Sequence, residues 1–270
     1  MPRIVVSSAL LAPLFFLSTS PLLRADVFVP GQSVPAVVGE VFTWSAGQAD
    51  STFADWDVFG TPGSFLFAGT SPAPGSSFSG GGSASTLTFN NTQTILSSIA
   101  NSGNAYAFNF ADPGNASLYT LDATATILPN SGQEFLRVVM QWSTGGSAFD
   151  TGGVALNRVG EATTVSPDLL VSMEQGDSAG SFGGTDLTHM AIWDLTGNTA
   201  ASEYAVDFAS VGNHMVLDAV RVDTFAQSSA FAAVTAVPEP STFVALGLIG
   251  GLGLARRRRR VKRSGSAQSV

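Results

Sequence analysis

The sequence predicts an all-β protein, a single β-sandwich with a short added segment at each end. Three observations carry that reading. Short apolar or alternating runs recur along the chain, separated by Gly, Ser, Asn and Pro, as strands and turns are in a sandwich or barrel. No run keeps a 3.6-residue apolar period over three turns, and Ile95 to Ala100 is the single short helical candidate in the body. Charged residues make up only 12% of the 270 residues, whereas a helical cytosolic enzyme would carry more Glu, Lys and Arg. There is no cysteine, which excludes disulfides, thiolate metal sites and a cysteine nucleophile, so the core alone must hold the fold.

The first 25 residues form a separate unit. Arg3 supplies a positive start, Ile4 to Leu17 run without a charge, and Ala25 is a small residue at a plausible cut. This is the pattern of an export signal peptide cleaved between Ala25 and Asp26, leaving a body over 26–225.

Within that body, strands are expected at Ser64–Ala68, Ser85–Phe89 and Ala105–Phe110, then at Ser117–Ile127 and Glu134–Trp142. Further strands follow at Asp168–Glu174, His189–Leu195, Ser202–Phe208 and Met215–Phe225. In Ala105–Phe110 the aromatic residues Tyr106, Phe108 and Phe110 fall on alternate positions, the period of a one-sided strand. In Met215–Phe225, Val220 and Val222 should face the core while Arg221 and Asp223 face outward. The Gly/Ser-rich stretch Ser71–Ser85 is expected as a long surface loop, and 226–236 as a linker.

After the linker comes VPEPSTFVALGLIGGLGLARRRRR, Val237 to Arg260. Proline cannot continue a helix inward from Pro240 and pushes Glu239 toward an extended backbone, so Val237, Pro238, Glu239 and Pro240 make an extended strip that an enzyme groove can bind. Phe243 to Ala255 is apolar or glycine; as a helix these residues rise about 20 Å against a hydrocarbon core of about 30 Å. Ser241 and Thr242 extend the helix, and arginine side chains reach the headgroups, so the run makes a short transmembrane helix. Arg256, Arg257, Arg258, Arg259 and Arg260 then form a flank on the cytoplasmic side, which places the preceding body outside the inner membrane.

Charge is partitioned in the same way. Between Asp26 and Ala236 only Arg137, Arg158 and Arg221 oppose nineteen acidic residues, a formal charge of −16. A body so poor in Lys and Arg excludes nucleic-acid binding.

The order of Pro-Glu-Pro, short apolar run and arginine cluster over 237–263, with a tail at 264–270, resembles the PEP-CTERM sorting signal. The resemblance implies a membrane-embedded exosortase as partner, which cleaves near the motif and delivers the protein to the cell surface or matrix. It also implies an inner-membrane precursor and an association with exopolysaccharide and biofilm. Met215–Asp223 separately resembles the closing strand of jelly-roll and carbohydrate-binding-like domains, so the expected body is jelly-roll-like.

No catalytic set assembles from the sequence. His189 and His214 have no local partners that complete a site, and no Gly-x-Ser-x-Gly elbow is present. Phe149-Asp150-Thr151-Gly152 lacks the second Asp-Thr-Gly or Asp-Ser-Gly that an aspartic protease needs, and Leu128–Gly132 has the composition of a turn. Asp55 and Asp57, and Glu174, Asp177 and Asp186, are the acid groups from which a calcium site would be built. Trp44, Trp56, Trp142 and Trp193 are the aromatics available to stack on sugars. The expectation is therefore a non-enzymatic surface or matrix protein without cofactor or metal. The alternatives are a carbohydrate-binding module using tryptophans and calcium, and a glycan hydrolase using paired carboxylates.

Overall fold

The computed structural model describes residues 27–61, 65–66, 68–79, 85–90, 97–99, 103–107, 121–146, 150–177, 185–210 and 215–237. The signal peptide, His214 and everything from Pro238 onward therefore lie outside the described residues.

The described strands in chain order are β1 (Val37–Val38), β2 (Ser51–Trp56), β3 (Phe65–Leu66), β4 (Ser76–Ser79), β5 (Thr86–Phe89), β6 (Ser97–Ile99), β7 (Ala105–Ala107) and β8 (Asp122–Ile127). They continue as β9 (Phe135–Gly146), β10 (Ala155–Arg158), β11 (Thr164–Val165), β12 (Leu169–Asp177), β13 (Thr185–Leu195), β14 (Tyr204–Ala209), β15 (Met215–Gln227) and β16 (Thr235–Ala236). Among the described residues the helical content is one 3-10 turn at Thr151–Gly153. The all-β expectation holds.

Two local expectations are corrected. Ser97–Ile99, inside the helical candidate, is a strand paired with β7 and β3. Within Ser71–Ser85, Ser76–Ser79 is an edge strand on β2 rather than loop. In β7 the expected alternation holds over the described residues, with Ala105 and Ala107 fully buried and Tyr106 half-buried.

Two sheets form the body. The larger runs β12-β13-β9-β15-β7-β6-β3, and the smaller runs β11-β10-β14-β8-β5. Neighbouring strands in both sheets run antiparallel. β15 is long enough to hold two partners on one edge: β7 along Met215–Leu217 and β2 along Val220–Phe225. Its other edge carries β9, with a bulge between Leu217 and Ala219 that re-aims Asp218.

The period-2 alternation of a strand decides what lies between the sheets. Trp56, Leu136, Val138, Met140, Trp142, Trp193, Val220 and Val222 point from the larger sheet into one apolar cluster. Leu87, Phe89, Ala125, Ile127, Val206 and Phe208 meet them from the smaller sheet.

The opposite face of the larger sheet is covered as well. Val139, Leu169, Val171, Met190, Ile192 and Phe225 pack under Val34, Val41, Phe42, Trp44 and Val234, which belong to two straps outside the sandwich. That covering is why ten consecutive residues of β9, Leu136 to Gly145, are buried, where an antiparallel strand with one wet face would alternate. The N-terminal strap, 28–44, starts where Gln141 accepts from the Phe28 N–H and donates to the Phe28 carbonyl, both at 2.7 Å. The C-terminal strap, Phe231–Val237, ends in β16, which pairs with β1 so that Val37 faces Ala236 and Val38 faces Thr235. Gly39, at φ +105°, lets the two straps meet; a Cβ there would stand 3.2 Å from the Ala233 carbonyl oxygen.

Candidate functional site

The C-terminal exit of the body is built on Arg137. Its position in β9 faces the straps, and its side chain is fully buried. The guanidinium holds both Asp194 carboxylate oxygens at 2.7 Å, the fork geometry only Arg provides. Its remaining N–H groups donate to the Glu40 and Val41 carbonyls at 2.9 and 3.1 Å and to the Ala232 carbonyl at 2.8 Å. The Phe231 ring lies over it, 4.6 Å from guanidinium carbon to ring centre. One buried cation thus ties both straps to the sheet. In the stretch 226–236, whose composition suggests a linker, Ala226 and Val234 are buried and Phe231 half-buried while Ser228, Ser229, Ala230, Ala232 and Ala233 are exposed, and the Val237 N–H donates to the Ala36 carbonyl at 2.9 Å. Val237 itself is exposed.

A second charged cluster lies on the same face. Arg221 and Asp223, expected at the solvent side, do point away from the sandwich core but are 4% and 1% exposed. The reason is the additional layer: the straps and β4 exclude water from that face. Arg221 grips Asp223 through two bonds of 2.6 and 2.8 Å, reaches Asp55 at 3.2 Å, and lies over the Phe53 ring. Asp55 also accepts from the Ser76 N–H at 2.7 Å and hydroxyl at 2.8 Å. Both of its oxygens are therefore engaged.

Beside this cluster lies an open cleft of about 390 Å³ lined by Asp55, Asp57, Gly75, Asn104 and Asp218. Asn104 donates to the Asp218 carboxylate. The cleft collects three acids, yet no group of three metal-ligating side chains has the geometry of a metal centre among the described residues. In the other acidic group Glu174 is exposed and Asp186 half-buried on neighbouring strands, and the Asp177 side chain lies outside the described ones.

His189 is the chemistry-bearing side chain the sequence could not place. It is 2% exposed, stacked on Trp142 at 5.2 Å between ring centres. Its ring nitrogens bond to the Ser172 hydroxyl at 2.7 Å and the Thr144 hydroxyl at 3.1 Å. A serine–histidine contact across adjacent strands has no sequence signature, because its members are 17 residues apart and meet only through the register of β12 on β13. Hydroxyls thus bond to both ring nitrogens.

Asp150 caps the 3-10 turn, accepting from the Gly152 and Gly153 N–H groups at 3.1 and 3.2 Å, which confirms a turn in place of a protease loop. Leu128–Gly132, whose composition suggests a turn, is an irregular connection from β8 in the smaller sheet to β9 in the larger, with Asn130 at φ +53°. All four tryptophans are buried, Trp44 at 5% and the other three at 0% exposure, as core residues of a sandwich rather than sugar-stacking surfaces.

The two buried titratable groups make a prediction about acid stability. Burial lowers His189 from 6.5 to about 4, and burial raises Asp223 from 3.8 to about 6 against the pull of Arg221. For His189 the unfolded chain takes up its proton first, so stability is lost as pH falls through 6.5, with the loss complete near 4. For Asp223 the folded chain holds its proton longer, so stability present below 3.8 is lost as pH rises through about 6. Each effect is worth about 3 kcal/mol, and across pH 4–6 they oppose each other. The thermal midpoint should be nearly level there. In His189→Gln, which carries no titrating ring, only the Asp223 effect remains, and the midpoint should fall as pH rises from 4 to 6. Calorimetry across that range decides it; a variant as level as the parent would refute the pairing.

A family model described as the PEP-CTERM protein-sorting motif matches residues 236–260. The chain thus carries this sorting motif, which implies an exported precursor processed by an exosortase, a membrane enzyme. No curated protein and no solved structure matches the chain. The match begins at Ala236, where the last described strand ends.

Proposed function

We propose that this is a non-enzymatic surface or matrix protein, associated with exopolysaccharide or biofilm, whose body is displayed by C-terminal sorting. The observation that carries the reading is the match of the sorting motif to residues 236–260, which starts in β16, the last described strand. Residues 1–25 act as the export signal, cleaved between Ala25 and Asp26, and 241–263 as the temporary membrane anchor, with its arginines on the cytoplasmic side. A body without catalysis is supported by the engagement of its polar side chains: Asp55, Asp223, Arg221 and His189 are all committed to structural partners. The burial of the four tryptophans removes the specific support for a sugar-binding module.

The test is processing in the native host. Glu239→Ala removes the single carboxylate of the strip and should leave export intact while trapping an uncleaved, membrane-bound precursor. Pro240→Ala relaxes the backbone without removing charge and should do so less severely. Neutralising Arg256 to Arg260 should weaken the anchor and release some full-length chain. Fractionation with a blot against the body reads all three. Normal-rate processing of Glu239→Ala rejects the sorting reading, and a mature N-terminus still at Met1 or Pro2 rejects the export signal.

A further inference from the structure

We propose that the C-terminal strap, clamped by Arg137, determines where the chain is cut: it withholds the backbone through Val237, so that cleavage falls after that residue. The inference rests on the sorting reading and adds a role for the body within it, with Arg137 as a positioning residue.

The strap is held along its length by different means. Phe231 lies on the Arg137 guanidinium and meets Phe225 edge-on at 6.3 Å. The Ala232 carbonyl accepts from Arg137 at 2.8 Å, and Val234 is 9% exposed in the second apolar cluster. Thr235 and Ala236 pair with β1, and the Val237 N–H donates to Ala36 at 2.9 Å.

A peptide bond is cut by an enzyme that takes several residues of extended backbone into its groove, and a segment packed and hydrogen-bonded elsewhere must first open. The acyl carbon then passes to water or to an acceptor amine, and the new amino group leaves with the membrane segment. Opening the strap means breaking the Arg137 contact, the β1 pairing and the seat of Val234. Reach narrows the choice further. From Val237 to Phe243 are six Cα steps, at most about 20 Å, against about 55 Å if the chain were free from Gln227. The bonds presented to a membrane enzyme are accordingly those between the body and the bilayer.

Two measurements test this. The intact mass of the wild-type protein recovered from the surface should give a C-terminus beyond Val237, and a C-terminus upstream of it overturns the proposal. Arg137→Met and Phe231→Ala should each add products ending within 231–237. Phe231→Ala keeps the Arg137–Asp194 pair, so the test survives if Arg137→Met fails to fold. Independently of the sorting enzyme, elastase applied to the full-length chain in detergent should cut within 231–237 at least about tenfold more slowly in the wild type than in either variant. Equal rates overturn the proposal while leaving the sorting reading intact. Normal processing of Glu239→Ala rejects the sorting reading, and the role of the strap in choosing the cut falls with it.

Discussion

Arg221→Met should cost about 3–5 kcal/mol at pH 7, because Asp223, 1% exposed, would be left as an uncompensated buried carboxylate. The size of the loss should depend on acidity. Burial already raises Asp223 to about 6 with its partner present, and removing the cation takes away the opposing pull. At pH 4 the carboxyl is protonated and the deficit should shrink. The double variant Arg221→Met with Asp223→Leu should recover most of the loss, since the desolvated charge is removed with its partner. Denaturant titrations at pH 7 and pH 4 check all three statements. An equal loss at both values would mean that Arg221 contributes by packing on Phe53, 4.6 Å from its ring, rather than by charge.

Trp142→Ala should cost a similar 3–5 kcal/mol by a different route. The indole is fully buried in β9, stacked on His189 and 6.1 Å from the Phe208 ring across the sandwich. Removing it leaves a void between two sheets whose hydrogen-bonded strands cannot collapse into it. The thermal midpoint should fall by about 10 °C. The pH-dependence should change too. His189 loses the ring that excludes water from it, so its titration should move back toward 6.5 and the acid sensitivity it confers should weaken. A midpoint lowered by less than about 3 °C would show that the layer between the sheets tolerates the loss by repacking.

Legibility in the sequence followed the range of the interaction. The strands of the sandwich were readable because alternation is local: Val220 and Val222 face the inner cluster as their spacing demands. The same alternation sends Arg221 and Asp223 to the other face, but it carries no information about what covers that face. The cover comes from residues 28–44 and 231–237, which have no periodicity because they are held by scattered anchors such as Trp44, Val234 and the carbonyls bound to Arg137. A short strand such as β16 likewise has only two residues in which to show a pattern. The sorting motif was legible in full because its chemistry is a linear order of residue types, independent of any fold.

The order in which the C-terminal strap is fastened also fixes how the molecule meets tension. A pull delivered at Val237 first loads one hydrogen bond and the two-residue pairing of β16 with β1. The seat of Val234 comes next, and then the grip of Arg137 on Ala232. Behind these stands β15, bonded to β9 along one edge and to β7 and β2 along the other. Weak fastenings in series ahead of a strong one yield one after another. Stripping the strap back to Gln227 pays out ten residues, about 33 Å of chain, before any strand of the two sheets bears the strain. A body hung by its C-terminal end would thus possess a built-in length of slack that absorbs a jolt and, on re-pairing with β1, winds itself in again.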